Sequence, residues 1–285
     1  MEDFIPLKPL FVPTTLCLPR NADKMKRKGC DVMLRLLKLE LKKLSKTTLL
    51  AIAILTVLTC ILTCTMYREY SIYFKLDAWE IGTEYIGLFF PLFVTIPVCW
   101  ELYYERRNRF LVYTLPRISK QAYLGAKWLA CSISAFMILF IPYMASALCA
   151  LYINTPNIKP LQPYYDHIWY TLYTQLPLLY AFLLAFWKGM LGVLTMTLGF
   201  ALALYGKNIF VVLTAPFIYA VLENFILSIL DFARYRFVTA FEPTSIAEPY
   251  INVGSFLAGP TLMCLVIGLI ILYFKKIKKS SVYTI

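Results

Sequence analysis

The stretch YERRNRFLVYTLPRISKQAYLGAK, residues 104–127, decides how the chain is organised. It contains six Lys/Arg and lies between two apolar runs, residues 83–100 and 128–152. A helix of about 20 apolar residues crosses a hydrocarbon core of ~30 Å, and both runs have roughly that length. A basic loop between two such runs indicates a multi-pass membrane protein whose loops can be assigned to sides by their charge.

The composition agrees with a membrane protein. Of the 285 residues, 60% are hydrophobic and 15% are charged, whereas soluble domains are nearer half apolar and a quarter charged. The net charge of +12 also fits a nucleic-acid-binding protein, but that class needs a basic face on a soluble fold. Because the charges lie between apolar runs, we expect no nucleic-acid partner.

Six apolar runs predict an all-α integral membrane protein with six transmembrane helices. They are residues 47–67, 83–100, 128–152, 169–205, 209–229 and 254–274. The fourth run is interrupted only at residues 187–189, which leaves no room for a turn, so it predicts one long, bent helix. Six crossings place both termini on the same side. The six-span domain would comprise residues 33–285.

The distribution of Lys and Arg orients the chain. The two termini, residues 101–127 and Lys207 hold 22 of the 28 Lys/Arg, whereas the loops on the other side hold five. The positive-inside rule assigns the basic segments to the cytoplasm. The sequence therefore predicts a multi-pass protein of the plasma membrane with cytoplasmic N- and C-termini.

An amphipathic helix precedes the first span. Residues 33–46 place leucines on one helical face and basic residues on another, and the leucines are Leu34, Leu37, Leu41 and Leu44. Such a helix lies in the membrane interface, with its lysines toward anionic headgroups, so membrane lipid is an expected partner. The alternative is a simple extension of the first span.

Residues 1–32 have a different character. Four prolines before residue 20 oppose regular structure, and the segment lacks the basic-then-apolar order of a signal peptide. We expect a disordered segment, or an extension upstream of a native start at Met33.

The order of the motifs resembles the permease subunit of type 2 ABC exporters. In that family the loop after the second span contains an acidic-basic cluster, a short helix, Leu-Pro, a Ser/Arg-rich turn and a Lys that opens the third span. The corresponding residues are Glu105, Arg106, Leu115, Pro116, Ser119 and Lys127. The sequence YGKNIFVVLTAPF, residues 205–217, is similar to the family's tight turn between spans four and five. The resemblance covers about residues 33–280.

The resemblance implies outward transport of a hydrophobic or amphipathic cargo, driven by a separate ATPase. In the family, the short helix in this loop is a coupling helix that docks on the ATPase. That role would fall to Glu105, Arg106, Arg107, Arg109, Phe110, Tyr113, Leu115, Pro116 and Arg117. We expect Phe110 and Tyr113 to fill a groove on the ATPase, with the arginines beside acidic residues. The alternative is a basic loop that contacts only lipid phosphates.

The sequence contains no nucleotide-binding loop. Such a loop needs G-x-x-x-x-G-K-[ST], and Gly206-Lys207 lacks both the first glycine and the Ser/Thr. We therefore expect no cofactor on this chain, and ATP and Mg on a partner ATPase. Two ATPase copies need two docking sites, so a second permease copy or a related permease is a further expected partner.

Other classes of function explain less of the sequence. The single His167 excludes an H-E-x-x-H metal site, and there is no G-x-S-x-G elbow, so we do not expect an enzyme. A multi-span channel or membrane scaffold protein without ATPase coupling is the alternative. It explains six spans but not the order of the loop motifs.

Two charged residues, Lys188 and Glu223, lie inside predicted spans. At ~1.5 Å per residue they stand about 25 Å and 21 Å above the turn between spans four and five. An ion pair between them is expected because a lone charge at that depth is costly. The alternative is that each extends separately to the outer headgroups.

Small residues on the fourth span predict close helix packing. Gly192, Gly199 and Gly206 recur every seven residues and would allow another helix to approach, either within the subunit or at a permease dimer interface.

The eight cysteines lie mostly in apolar runs and are expected to be packing residues.

The segment between spans five and six, residues 230–253, is too polar for a span and too aromatic for a free loop. The family resemblance implies short helices that dip back between these spans and form an extracellular lid. An aromatic belt at the membrane interface is the alternative.

Overall fold

The structure is a computed structural model that describes residues 20–108, 120–153, 169–246 and 252–277. These residues form helices and turns, with no strand among them. Five helices are long and apolar enough to cross a membrane: Met33–Arg68, Gln121–Ile153, Pro177–Tyr205, Ile209–Ile229 and Val253–Leu272. The prediction of an all-α, multi-pass membrane protein is therefore confirmed.

The first helix, α1, is continuous from Arg20–Thr65 and ends in a 3₁₀ turn at Met66–Glu69. Residues 33–46 form one helix with the first span rather than a separate helix, and their placement in the membrane interface stays a prediction. Their leucine face points into the protein: Leu44 is buried, Leu37 and Leu41 pack against the core, and only Leu34 is exposed. Neighbouring helices cover this face at Leu37, Leu41 and Leu44.

Residues 20–32, predicted to be disordered or an extension upstream of Met33, are the first turns of α1. All four prolines precede this helix, so none interrupts its hydrogen bonds. Residues 1–19 lie outside the described residues.

The second apolar run is not one helix. Helix α2 spans Asp77–Glu84, residues 85–89 form turns, and α3 spans Phe90–Arg107. Pro91 favours a helix start here, because its fixed φ suits the first turn and its missing N–H needs no partner there. The last seven residues of α3 hold four charged side chains, so this run is not among the five membrane-crossing helices.

The fourth apolar run is also divided. After α4 (Lys120–Leu148) and a π turn at Cys149–Ile153, the chain forms α5 (Tyr170–Gln175) and α6 (Pro177–Tyr205). Leu176 between α5 and α6 has φ −133° and ψ 62°, since the residue before a proline avoids helical geometry. The predicted long helix is therefore two helices.

The final third of the chain begins with α7, Ile209–Ile229, at the predicted boundaries. Its N-terminus is capped by Asn208, whose side chain accepts the Phe210 N–H. A short helix α8, Phe237–Phe241, lies between 3₁₀ turns at Ala233–Tyr235 and Pro243–Ser245. Helix α9, Val253–Leu272, starts at a capping box between Asn252 and Ser255 and is followed by a π turn at Tyr273–Ile277.

Side-chain contacts define two ends of the bundle. At one end Lys127 of α4 contacts Glu40 of α1, Arg106 of α3 contacts the residues after α6, and Tyr205 stacks on Phe274. We call this end the basic end and the other the opposite end. Helices α1 and α4 run side by side from the basic end to the opposite end.

The short helices α2 and α8 lie within the bundle, on the opposite-end side of α3. A Cβ on Gly82 of α2 would be 2.6 Å from the backbone of Thr63, and a Cβ on Gly259 of α9 would be 2.5 Å from Cα of Phe237. Only glycine permits these backbone approaches. Phe241 of α8 stacks on Phe90 of α3 with ring centroids 3.9 Å apart, so α8 packs against the first turn of α3.

The three predicted packing glycines lie against residues of the same chain. A Cβ on Gly192 would be 2.7 Å from Leu139 of α4, and one on Gly199 would be 2.8 Å from Cys99 of α3. Gly206 is not in the helix; it is the C-cap residue of α6, with extended backbone. Close packing at the first two positions therefore occurs inside the subunit.

Candidate functional site

Six polar residues from three helices form a cluster at the basic end. We call it the three-helix charge network, and its members are Glu40 and Lys43 of α1, Glu101 and Glu105 of α3, and Tyr123 and Lys127 of α4.

Glu105 is the centre of this network. It pairs with both Lys43 and Lys127, and the Tyr123 hydroxyl donates to it at 3.1 Å. Lys127, only 1% exposed, also pairs with Glu40 at 3.1 Å, and Lys43 pairs with Glu101 at 2.7 Å. One carboxylate therefore joins all three helices.

The charges in the network stabilise one another. Burial by itself would raise the pKa of Glu105, but the charges of Lys127 and Lys43 and the hydrogen bonds they donate bring it below its ordinary value. Glu105 is thus a carboxylate at neutral pH. Removing one partner from a buried pair leaves an uncompensated charge, which costs about 3–5 kcal/mol. The network therefore resists separation of the three helices.

Helical spacing explains why these side chains converge. Glu101 and Glu105 are four residues apart on α3, and Tyr123 and Lys127 are four apart on α4, so each pair shares one face. Glu40 follows Leu37 by three residues and thus belongs to the leucine face. Sequence reasoning missed Glu40, although it is the only acidic residue in residues 33–46.

A second set of bonds attaches α3 to the turn between α6 and α7. Arg106 donates from Nη1 to the carbonyl of Ala203 at 2.9 Å and from Nη2 to the carbonyl of Gly206 at 2.6 Å. The Tyr103 hydroxyl donates to the carbonyl of Lys207 at 2.7 Å. The last carbonyls of a helix lack internal partners, so a basic side chain at this position is favourable.

Only three of the residues predicted to dock on an ATPase lie in the described part of the chain, and two of these three are not available for docking. Glu105 and Arg106 are buried and bonded inside the chain, and Arg107 is exposed. The others lie outside the described residues; they are Arg109, Phe110, Tyr113, Leu115, Pro116 and Arg117. The coupling helix itself stays a prediction.

The buried ion pair inside the bundle has a different partner from the predicted one. Lys188, 0% exposed, pairs with Glu242, 1% exposed, at 2.5 Å. The predicted Lys188–Glu223 pair is wrong, because Glu223 instead accepts the backbone N–H of Phe237 at 2.9 Å. Residues 237–242 pack inside the bundle, which brings Phe237 to α7 and Glu242 to α6.

Aromatic rings surround the Lys188 ammonium. Its Nζ lies 4.3 Å from the ring centroid of Tyr143, 5.1 Å from that of Phe241 and 5.6 Å from that of Trp79. Cation–π attraction adds to the ion pair when the cation is removed from water. The sequence offered one signal for this site, the lysine within an apolar run, but none for its acidic partner.

Two more acidic residues lie on α2 near this pair. The Tyr173 hydroxyl donates to Asp77 at 2.5 Å, and the Tyr180 hydroxyl donates to Glu80 at 2.9 Å. They border a cleft of about 180 Å³ whose lining is Ser71, Tyr73, Asp77, Glu80, Ile81, Glu84 and Thr244. The half of the bundle away from the basic end therefore has its own buried polar cluster.

Two larger grooves are mainly apolar, each of about 610 Å³. One lies between α1 and α3, with Lys43 and Glu101 at one end and Leu50, Ile54 and Phe93 among its walls. The other lies between α6 and α9, with Trp169, Trp187 and Phe256 among its lining. Among the described residues, no group of three or more His, Cys, Asp or Glu has the geometry of a metal site.

Comparison of the chain with protein-family models, with curated proteins and with solved structures gave no match.

Proposed function

We propose that the chain is the permease subunit of a type 2 ABC exporter in the plasma membrane. Two copies of a separate ATPase, which binds ATP and Mg, drive outward transport of a hydrophobic or amphipathic cargo. A second permease copy or a related permease completes the transporter. The chain itself is not an enzyme and holds no cofactor.

The observation that carries the proposal is that the end of α3 and the start of α4, which flank the basic loop, are bonded to other helices. The loop leaves α3 after Arg107 and enters α4 at Lys120. Glu105, two residues before the loop, is bonded to α1 and to α4, while Arg106 is bonded to the residues that end α6. The helix ends on the two sides of the loop are thus joined to one another and to α1 and α6 by charged side chains.

This attachment suits a coupling element. A transporter with a separate ATPase must transmit a movement from the docking loop to several spans at once. Because a buried ion pair strongly resists the loss of one partner, displacement of the loop would move α1, α3 and α4 together. A channel or scaffold without a motor has no need of such a connection.

Six crossings follow in this proposal if α2, residues 85–89 and α3 together form the second span. Gly82 of α2 lies against Thr63 near the end of α1, and Arg106 of α3 lies at the basic end. The non-helical residues between them are tolerated at membrane depth where protein buries them. Gly87 supports this, because a Cβ there would be 3.7 Å from Cβ of Glu242. Both termini are then cytoplasmic.

The two apolar grooves support the class of cargo. Each has the volume of a small-molecule pocket, and such pockets are lined mainly by apolar and aromatic side chains. The groove between α1 and α3 combines apolar walls with Lys43 and Glu101 at one end. A molecule with an apolar body and a polar group fits that combination.

Purification from native membranes tests the proposal. The tagged chain should co-purify with a polypeptide that contains G-x-x-x-x-G-K-[ST], and the reconstituted complex should hydrolyse ATP faster when cargo is present. Phe110→Ala with Tyr113→Ala should leave the permease in the membrane but release or uncouple the ATPase.

The matched control is Tyr152→Ala with Phe232→Ala, two exposed aromatic residues at the opposite end, which should leave ATP turnover unchanged. Full turnover in the Phe110/Tyr113 variant would contradict coupling through this loop. Absence of any P-loop partner would favour the channel or scaffold alternative.

A further inference from the structure

Two cysteines from different helices meet near the opposite end of the bundle. Cys60 of α1 and Cys149, the first residue of the π turn after α4, have their Sγ atoms 3.4 Å apart. They are 89 residues apart in sequence, both are free thiols and both are partly exposed. The contact therefore arises from packing of α1 on α4 rather than from local sequence.

We propose that Cys60 and Cys149 are an oxidative modification site, at which a membrane-soluble quinone converts the two thiols to a disulfide. Two S–H bonds break and one S–S bond forms. The two protons and two electrons pass to the quinone, which leaves as the hydroquinone. The reaction needs no other oxidant.

The geometry of the pair suits a disulfide. Bonded sulfurs are about 2.0 Å apart, so the two Sγ atoms need to approach by roughly 1.4 Å, a distance that rotation about the Cα–Cβ bonds can supply. Cys149 is also the residue at which α4 ends and the π turn begins. It therefore does not lie in the middle of a continuous α-helix. The neighbouring contact of the Thr59 hydroxyl with the Pro142 carbonyl, 3.4 Å, keeps α1 and α4 together.

The position of the pair selects the class of oxidant. Cys60 lies within the apolar helix Met33–Arg68 and Cys149 within Gln121–Ile153. At ~1.5 Å per residue, Cys60 is about 12 Å from Arg68, the first charged residue beyond it. A charged oxidant enters hydrocarbon poorly, whereas a quinone dissolves in it and accepts two electrons and two protons.

Cys99, Cys131 and Cys264 are poorly placed for the same reaction. Cys99 and Cys131 are buried, and Cys264 is exposed on α9. Cys131 is about 27 Å from Cys149 along α4 at ~1.5 Å per residue. Cys64 is one turn after Cys60 on the same side of α1 and also lies near Cys149, so it is the competing partner that the test must distinguish.

The disulfide would change how α1 and α4 are held. At the basic end, Lys127 and Glu40 already join the two helices. A covalent bond between Cys60 and Cys149 would join them at the opposite end as well. Oxidation would therefore prevent the two helices from separating at either end.

The test uses the full chain in membranes. One sample is treated with decylubiquinone, a second with diamide and a third with neither. Free thiols are then blocked with N-ethylmaleimide in denaturant, and peptides are analysed by mass spectrometry. We expect loss of alkylation at Cys60 and Cys149 together after either oxidant, a linked peptide pair, and recovery of both thiols on reduction. Cys64 and Cys264 should stay alkylated.

Two variants identify the bond. In Cys149→Ser, Cys60 has no partner, so N-ethylmaleimide should still alkylate it after treatment with oxidant. In Cys64→Ser, the Cys60–Cys149 disulfide should form as in the natural chain. Full alkylation of both cysteines in the natural chain after both oxidants would overturn the proposal, independently of whether any variant folds. A link from either cysteine to Cys64 would overturn the assigned pair. A disulfide formed with diamide but not with the quinone would overturn the assigned oxidant.

Discussion

Lys188 on α6 and Glu242 after α8 form an ion pair of 2.5 Å in the interior of the bundle. Glu223 on α7 does not join this pair but accepts the Phe237 N–H. Each of the two buried carboxylates thus anchors a different end of the segment 237–242. This segment is held in the bundle by polar contacts as well as by its aromatic residues.

Neutralising one member of the pair should destabilise the protein more than neutralising both. Lys188→Met or Glu242→Gln alone leaves an uncompensated buried group, with an expected loss of about 3–5 kcal/mol in the free energy of unfolding. The double variant should lose less than the sum of the two. A double-mutant cycle by denaturant unfolding in detergent micelles measures the difference.

Glu223 supplies the matched control for this cycle. Because it shares no hydrogen bond or ion pair with Lys188, the losses from Lys188→Met and Glu223→Gln should add. Additivity in the Lys188–Glu242 cycle, or strong coupling in the control cycle, would contradict the pairing described here.

Removing the buried lysine of the three-helix charge network should loosen the basic end. Lys127→Met leaves Glu105 and Glu40 without their common partner, and the expected loss is again about 3–5 kcal/mol. Arg107→Gln, an exposed change on the same end of α3, should change stability by less than about 0.5 kcal/mol. Equal unfolding midpoints for the two variants in micelles would argue against a structural role for the network.

The close approach of α8 and α9 should make one glycine of α9 irreplaceable. In Gly259→Ala the new Cβ would lie 2.5 Å from Cα of Phe237, and such overpacking costs about 1–3 kcal/mol. In Gly268→Ala, on the same helix, the new Cβ meets nothing within 4 Å. Alanine there should be neutral or stabilising by up to ~1 kcal/mol, because it favours the helix. Comparing the thermal unfolding of the two variants tests the contact, and a Gly259→Ala protein as stable as Gly268→Ala would refute it.

The orientation of the chain can be measured with single cysteines in a background whose eight native cysteines are serine. Gln162→Cys and Thr244→Cys should react with a membrane-impermeant maleimide added outside intact cells, because the proposed topology places both outside. Ser119→Cys should react only after permeabilisation. The reverse pattern would overturn the proposed topology.

Hydropathy and charge predicted where most helices lie. They were least informative about the positions at which an apolar run is divided into two helices. The predicted bounds of residues 209–229 agree with those of α7, whose first turn Asn208 caps. The break before α3 is hidden in residues 83–100 because every position there is apolar or small apart from Glu84, and hydropathy does not distinguish a buried turn from a helix. Pro91 in the sequence was the available signal, as Pro177 was for the division between α5 and α6.

The partners of buried charges were harder to predict, because they depend on tertiary packing. The sequence left open whether Lys188 pairs or extends to the headgroups, and its actual partner, Glu242, lies in a segment too polar to be assigned to the membrane. It lies beside Lys188 in the packed bundle, where the preceding residue Phe241 stacks on Phe90 of α3. Likewise, Glu40 pairs with Lys127, 87 residues away, and no local pattern relates the two.

The 54 residues that separate Lys188 from Glu242 have a consequence for biosynthesis. At about 5–20 residues per second, the ribosome needs on the order of 3–10 s to make them. Lys188 therefore leaves the ribosome before its carboxylate partner, 54 residues later in the chain, does. A lone lysine is costly in hydrocarbon, so α6 is expected to stay near water or the insertion machinery until residues 237–242 have been synthesised and can enter the bundle.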